Sequence, residues 1–178
     1  MKSVQGKTVL ITGAAMGMGR LFAERAIAEK AAKVVLWDVN EKALDKTLEE
    51  LSGGEVEVYG YYVDVSNLEE IQATAEAMRA EIGDVEILVN NAGVVRGNGY
   101  FWESDSARDT KLTIDVNTLA PMYVAREFLP GMIAGSGEAR LLNLASAAGF
   151  TPNPRMAAYA GSKWAVIGWS DSVRLELK

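Results

Sequence analysis

The chain contains no cysteine and no histidine. Without thiols it has neither a disulfide framework nor thiolate chemistry. Without imidazole it lacks the commonest general base near neutral pH and the commonest metal ligand, so no metal site is expected. A basic surplus is missing too. Lys and Arg number 18 against 24 Asp and Glu, a net charge of −6. That argues against nucleic acid as a partner, because phosphate binding needs a basic face. No apolar run approaches the roughly eighteen residues of a membrane span. The opening residues, MKSVQGK, carry no apolar signal core, and a cytoplasmic location is expected. Repeats, linkers and low-complexity tracts are absent as well. Any chemistry must therefore use Tyr, Lys, Ser, Asn or carboxylates.

What is present describes one globular domain over residues 1–178. Hydrophobic residues make up 49% of the chain and charged residues 24%. Short apolar runs alternate with amphipathic segments of helical length, the pattern of stacked βαβ units. Strands are predicted at 7–12, 33–37, 56–63, 85–89 and 141–144. Helices are predicted over 17–30, from the N-cap Asn40 to Leu51, from the capping-box run Ser66-Asn67-Leu68-Glu69 to Ile82, over about 104–133, and from Met156 onward. The expected fold is an α/β doubly wound parallel sheet of Rossmann type. The last segment, SDSVRLELK, is still amphipathic helix with no Gly, Asn or Pro to end it, which suggests a piece of a longer polypeptide.

Three sets of residues carry chemistry. Thr12-Gly13-Ala14-Ala15-Met16-Gly17-Met18-Gly19 lies at a strand-to-helix junction. Glycines there let a pyrophosphate approach, while the helix start offers free N–H groups and a positive dipole end. Asp38, nineteen residues after Gly19 at the tip of the second strand, is placed to hydrogen-bond ribose hydroxyls. No Lys or Arg stands at Ala14, Ala15, Met16 or Val39 to meet a 2′-phosphate, so NAD is expected over NADP. Asp64-Val65 would cap the adenine or simply turn the chain into its helix. The third set is Tyr159 and Lys163, one helical turn apart, with Ser146 thirteen residues upstream. The ammonium would lower the phenol's pKa of about 10, and the serine would hold a substrate oxygen beside it. A lone Tyr-x-x-x-Lys is a weak motif, and its strength comes from the residues before it.

With Asn90-Asn91-Ala92-Gly93 after the fourth strand and Asn117 beyond it, this ordered set resembles the short-chain dehydrogenase/reductase superfamily. The stretches VVLWDVN, DVEILVNNAGVV and YAGSKWAVIGWSDSVRLEL look most like its branch of retinol and 17β-hydroxysteroid-type dehydrogenases. The resemblance implies that Tyr159 is the general acid/base, that Lys163 lowers its pKa and binds the nicotinamide ribose, and that Ser146 orients the substrate oxygen. It implies that Asn117 positions a proton-relaying water, that Asn90, Ala92 and Gly93 lie near the cofactor, and that Asn91 helps fix the central strands.

Family members run longer, with further strands and a substrate lobe, so the fifth strand should be a bare edge here. The implied function is an oxidoreductase passing hydride between NAD(H) and an apolar secondary or allylic alcohol or its carbonyl, as a homodimer or homotetramer. The alternative is a catalytically silent dinucleotide-binding module or fragment. Val94 to Trp102 and Gly149 to Met156 would line the substrate side, unless Phe101 and Trp102 pack as core. One local expectation concerns Pro121. It has no N–H, so the Asn117 carbonyl would lack its intrahelical donor and be free to hold a water.

Overall fold

The computed structural model of the chain describes residues 3–135 and 137–177. In chain order the elements are β1 (Thr8–Thr12), α1 (Gly17–Ala28), β2 (Lys33–Asp38), α2 (Glu41–Leu51), β3 (Glu57–Tyr62), α3 (Leu68–Ile82) and β4 (Ile87–Asn90). After a loop come α4 (Leu112–Ile114), α5 (Ala120–Ala134), β5 (Arg140–Asn143) and α6 (Ala157–Glu176). The five strands form one parallel sheet in the order β3-β2-β1-β4-β5. The order reverses at β1, where the chain passes from β1–β2–β3 on one side to β4–β5 on the other. A crevice at the carboxyl ends of β1 and β4 follows from that reversal.

Strand alternation divides the core into two layers. Leu10, Val35, Trp37 and Leu88 pack with Ile71, Ala75 and Met78 of α3 and Val124 and Phe128 of α5. Val9, Ile11, Val34, Leu36 and Val89 pack with Ala23 and Ala26 of α1 and Leu44 of α2. Both faces are covered, which is why these strands read as unbroken apolar runs. Trp37 is fully buried and meets Phe128 edge-on, ring centroids 5.7 Å apart. Each such side chain contributes about 1.5–3 kcal/mol on burial.

Two local expectations need correcting. The cap of α3 is Asn67, one residue later than the expected Ser66. Its side chain accepts from Glu69 and Glu70 N–H, and its own amide donates to the Glu70 carboxylate. Asn holds that position because Ser66 is occupied elsewhere, donating through N–H and hydroxyl to Asp64. The second correction is to the long helix over 104–133. A 3₁₀ turn at Phe101–Glu103 precedes two wide π-helical turns, Ser106–Lys111 and Asp115–Leu119, that flank the single turn α4 before α5 begins. Pro121 follows the second wide turn directly and, having no N–H, cannot close a helical bond to Asn117. Within the turn the Ala120 N–H reaches back five residues to the Asp115 carbonyl.

β5 is the sheet's edge, as expected, and Leu142 on it is 44% exposed.

Candidate active site

The glycine loop is built by three different constraints. Gly13 turns the chain at φ +64°, and a Cβ there would lie 2.8 Å from the Ala92 Cα. Gly17 opens α1 at φ +57° with open space around it. Gly19 is buried behind the loop, where a Cβ would fall 2.1 Å from the Gly13 carbonyl oxygen. Met16, at the N-cap, offers no side-chain acceptor to the first N–H groups of α1, which leaves them available to an anion.

Asp38 clamps this loop from below. It is 8% exposed, with Oδ2 accepting the Ala15 N–H and Oδ1 the Asn40 N–H, both at 2.9 Å. Thr47, from α2, donates to the Ala15 carbonyl at 2.9 Å. Ala15 and Gly19 are therefore scaffold rather than wall. In front of them opens a cleft of about 590 Å³. Its walls include Gly13, Met16, Met18, Asp38, Val39, Asp64, Val65, Asn91, Ala92 and Gly93. The structure thus gathers expected residues from four separate stretches of chain into one surface. Val94 and Arg96, expected on the substrate side, also line it, as does Leu112, which was not anticipated. One Asp64 oxygen is committed to Ser66, so its carboxylate closes the turn into α3.

The asparagines divide their work differently from the expectation. Asn90 faces the interior, not the cleft. It is 5% exposed, and its amide donates to the Pro121 carbonyl at 3.1 Å and to Asn143 Oδ1 at 2.9 Å. It therefore ties β4 to β5 and α5, because a side chain at this register points into the layer under α5. Asn91 joins β4 to the glycine loop, its amide donating to the Thr12 and Gly13 carbonyls at 3.0 Å each. The Thr12 hydroxyl accepts from the Asn91 and Ala92 N–H groups, both at 3.1 Å. That hydroxyl was not anticipated, although it stands at the head of the glycine loop.

Beyond Gly93 the remaining residues converge. A Cβ at Gly93 would lie 3.4 Å from Asn117 Oδ1 and 3.7 Å from Lys163 Nζ. The absent side chain brings the backbone close to both. Asn117, fully buried, grips the Val94 backbone in both directions. Its Oδ1 accepts the Val94 N–H and its Nδ2 donates to the Val94 carbonyl, each at 2.8 Å. Lys163 is 5% exposed, and its Nζ donates to the Leu144 carbonyl at 2.8 Å. Burial pushes its ammonium below the usual lysine value. The same Nζ lies 5.8 Å from the Tyr159 ring centroid.

Ser146 caps the 3₁₀ turn Ala147–Gly149, its Oγ accepting the Ala148 N–H at 3.2 Å. That turn lies flat on α6, because a Cβ at Gly149 would meet Ile167 Cδ1 at 2.5 Å and the Lys163 carbonyl oxygen at 2.9 Å. Gly149 was expected on the substrate side, but its packing against α6 was not anticipated, since that constraint comes from another element. Among the described residues, the Ser146 and Tyr159 hydroxyls form no direct hydrogen bond to each other.

The loops expected to face substrate do touch. Arg155, at φ +61°, lies 5.0 Å over the Tyr100 ring, and Tyr100 stacks on Trp102 at 4.9 Å. Phe101 and Trp102 are 58% and 78% exposed, so neither is core.

Comparison with known proteins agrees with this arrangement. The family model described as short chain dehydrogenase matches residues 7–178. Estradiol 17-beta-dehydrogenase 11 of Homo sapiens is 42% identical over 176 residues, covering 99% of this chain and 57% of that protein. The chain thus spans little more than half the length of that curated relative. A short-chain dehydrogenase/reductase from Burkholderia phymatum, solved with NAD, superposes with a TM-score of 0.91 at 39% identity, covering 97% of this chain and 60% of that one. A metagenomic short-chain oxidoreductase solved with NADP gives a TM-score of 0.91 at 32% identity, covering 99% of this chain and 78% of that one.

Proposed function

This chain belongs to the short chain dehydrogenase family, and we propose that it is the dinucleotide-binding and catalytic part of an NAD(H)-dependent oxidoreductase acting on an apolar secondary alcohol or its carbonyl. The observation that carries the proposal is the convergence at Gly93. There a Cβ on the backbone at the end of the cleft would lie in van der Waals contact with both Asn117 Oδ1 and Lys163 Nζ.

The cleft suits a dinucleotide. Its volume falls within the usual range for cofactor sites. The uncapped start of α1 would hold a pyrophosphate, and Asp38, with lone pairs beyond the two it uses, would accept ribose hydroxyls. A 2′-phosphate would meet that buried carboxylate, which is the reason for preferring NAD. The bound nicotinamide would accept or deliver hydride.

The chain's own residues handle the proton. Tyr159 exchanges it with the substrate oxygen, with the Lys163 ammonium 5.8 Å from the centre of its ring. Ser146, at the head of its short turn, steadies that oxygen. Tyr100, Phe101, Trp102 and Phe150 supply an apolar approach.

Titrating the protein with NADH and NADPH, following energy transfer from its Trp residues to the nicotinamide, tests the cofactor reading. Saturable NADH binding with much weaker NADPH binding is expected. For the chemistry, Tyr159→Phe should lower turnover of a secondary alcohol by at least about a hundredfold while leaving NADH affinity nearly unchanged. Loss of both together would make Tyr159 a structural residue.

A further inference from the structure

Ser162 stands between Tyr159 and Lys163 in the chain and is fully buried. Its hydroxyl donates to the Tyr159 carbonyl at 2.6 Å. A helical serine bonding back one turn is common and purely local. The second contact is not local. The same oxygen accepts from Asn117 Nδ2 at 3.1 Å, across 45 residues of sequence. Asn117 Nδ2 also donates to the Val94 carbonyl, so both its protons are spoken for. Thr118 adds a parallel link, its hydroxyl donating to the Ser162 carbonyl at 3.2 Å. One hydroxyl therefore joins the wide turn that carries Asn117 to the first turn of α6, and through Asn117 to the strand of loop that follows Gly93.

We propose that Ser162 is a positioning residue for the proton transfer, holding the Tyr159–Lys163 turn at a set distance from Asn117. It rests on the reading of Tyr159 as the acid/base. The physical argument is one of register. Tyr159 and Lys163 share a helix, so their mutual spacing is fixed by α6 itself. Asn117 sits on a different element, a wide turn, and nothing in helix geometry sets its distance from α6. Side-chain bonds from that turn to Ser162 do, and of these the Asn117–Ser162 bond is the one that holds the Asn117 amide itself. Removing the hydroxyl leaves an amide proton of the buried Asn117 without its partner, which costs more than the bond was worth and is relieved by movement of the turn. Movements of about 1 Å at reacting groups lower rates by up to about a hundredfold.

The test compares wild type, Ser162→Ala and Ser162→Thr, with Thr118→Val as a control that removes the parallel link and leaves the hydroxyl bridge. One readout is the phenol titration of Tyr159, taken as the absorbance difference between each protein and its Tyr159→Phe counterpart. The other is NAD-dependent oxidation of cyclohexanol. Ser162→Ala should displace the phenol titration and lower kcat by about tenfold or more, with KM and NADH affinity within about twofold. Ser162→Thr should restore both, and Thr118→Val should leave the titration in place. A Ser162→Ala protein that melts earlier yet keeps the wild-type titration would overturn the proposal. Should Ser162→Ala fail to fold, Ser162→Cys carries the same comparison with a weak donor in similar volume. If no protein oxidises the alcohol, the activity reading fails, while the phenol titration still decides the role of Ser162.

Discussion

The Lys163 ammonium donates to the Leu144 carbonyl at 2.8 Å, tying α6 to the chain just beyond β5 and two residues before Ser146. One bond thus fixes the cation beside Tyr159 and holds the segment that leads to the serine. It also makes the site sensitive to changes at either end.

Lys163→Met should leave the Leu144 carbonyl without its donor, at a cost of about 1–3 kcal/mol. The pH dependence has a definite sign. Burial holds the folded-state pKa of Lys163 below its ordinary value of 10.5, so the charged form is penalised in the folded protein at lower pH. As pH rises from the lowered value towards the ordinary one, the folded protein gives up this proton before the unfolded chain does. Wild-type stability relative to Lys163→Met should therefore increase across that window. Urea denaturation of both proteins at several pH values measures the difference, and a flat line would refute the burial argument.

Gly149→Ala places a methyl within 3.0 Å of the Lys163 backbone, which cannot yield without shifting α6. Overpacking of this kind costs about 1–3 kcal/mol. The more telling effect should be on turnover, since the displaced turn carries Ser146. Activity should fall further than NADH affinity, because most of the cleft lining, from Gly13 to Ala92, lies on other elements. Equal loss of both would mean that the whole sheet end had been disrupted.

Gly19→Ala should have the opposite signature. Its methyl would fall 2.6 Å from Asn91 Nδ2 as well as onto the Gly13 carbonyl. The loop and the end of β4 would have to separate, so dinucleotide binding should be lost first. Calorimetric titration with NADH reads this directly, and unchanged affinity would show that the loop tolerates the displacement.

Asp38→Asn keeps the shape of the side chain but offers one acceptor to two backbone donors, those of Ala15 and Asn40. Stability should drop by about 1–3 kcal/mol, and NADPH affinity should rise relative to NADH. If the ratio of the two affinities does not move, Asp38 serves the loop alone and the cofactor preference has another source.

Much of the fold was legible because its signals are contiguous. Short apolar runs marked every strand, and period-3.6 patterning most helices, to within a few residues. The glycine loop, Asp38 and the Tyr159–Lys163 turn each lie within one element or at its end, so spacing alone placed them. Pro121 marked a missing donor inside the expected helix, but the wide turns that interrupt that helix were not legible, because packing sets which N–H reaches which carbonyl.

What only the tertiary structure decided was how these pieces meet. Asn90 reaches Asn143, Asn117 reaches Ser162, Thr12 receives Asn91, and Gly149 rests on Lys163. No local pattern encodes these pairs, because each joins elements brought together by burial of their other faces. The sequence by itself determined the α/β sheet, the glycine loop and the polar residue types present. Packing determined which asparagine faces the core, which glycine is a contact rather than a hinge, and which hydroxyl bridges to the Tyr159–Lys163 turn. The reason is that a side chain's partners depend on the few ångströms between neighbouring elements, and the whole core sets that distance.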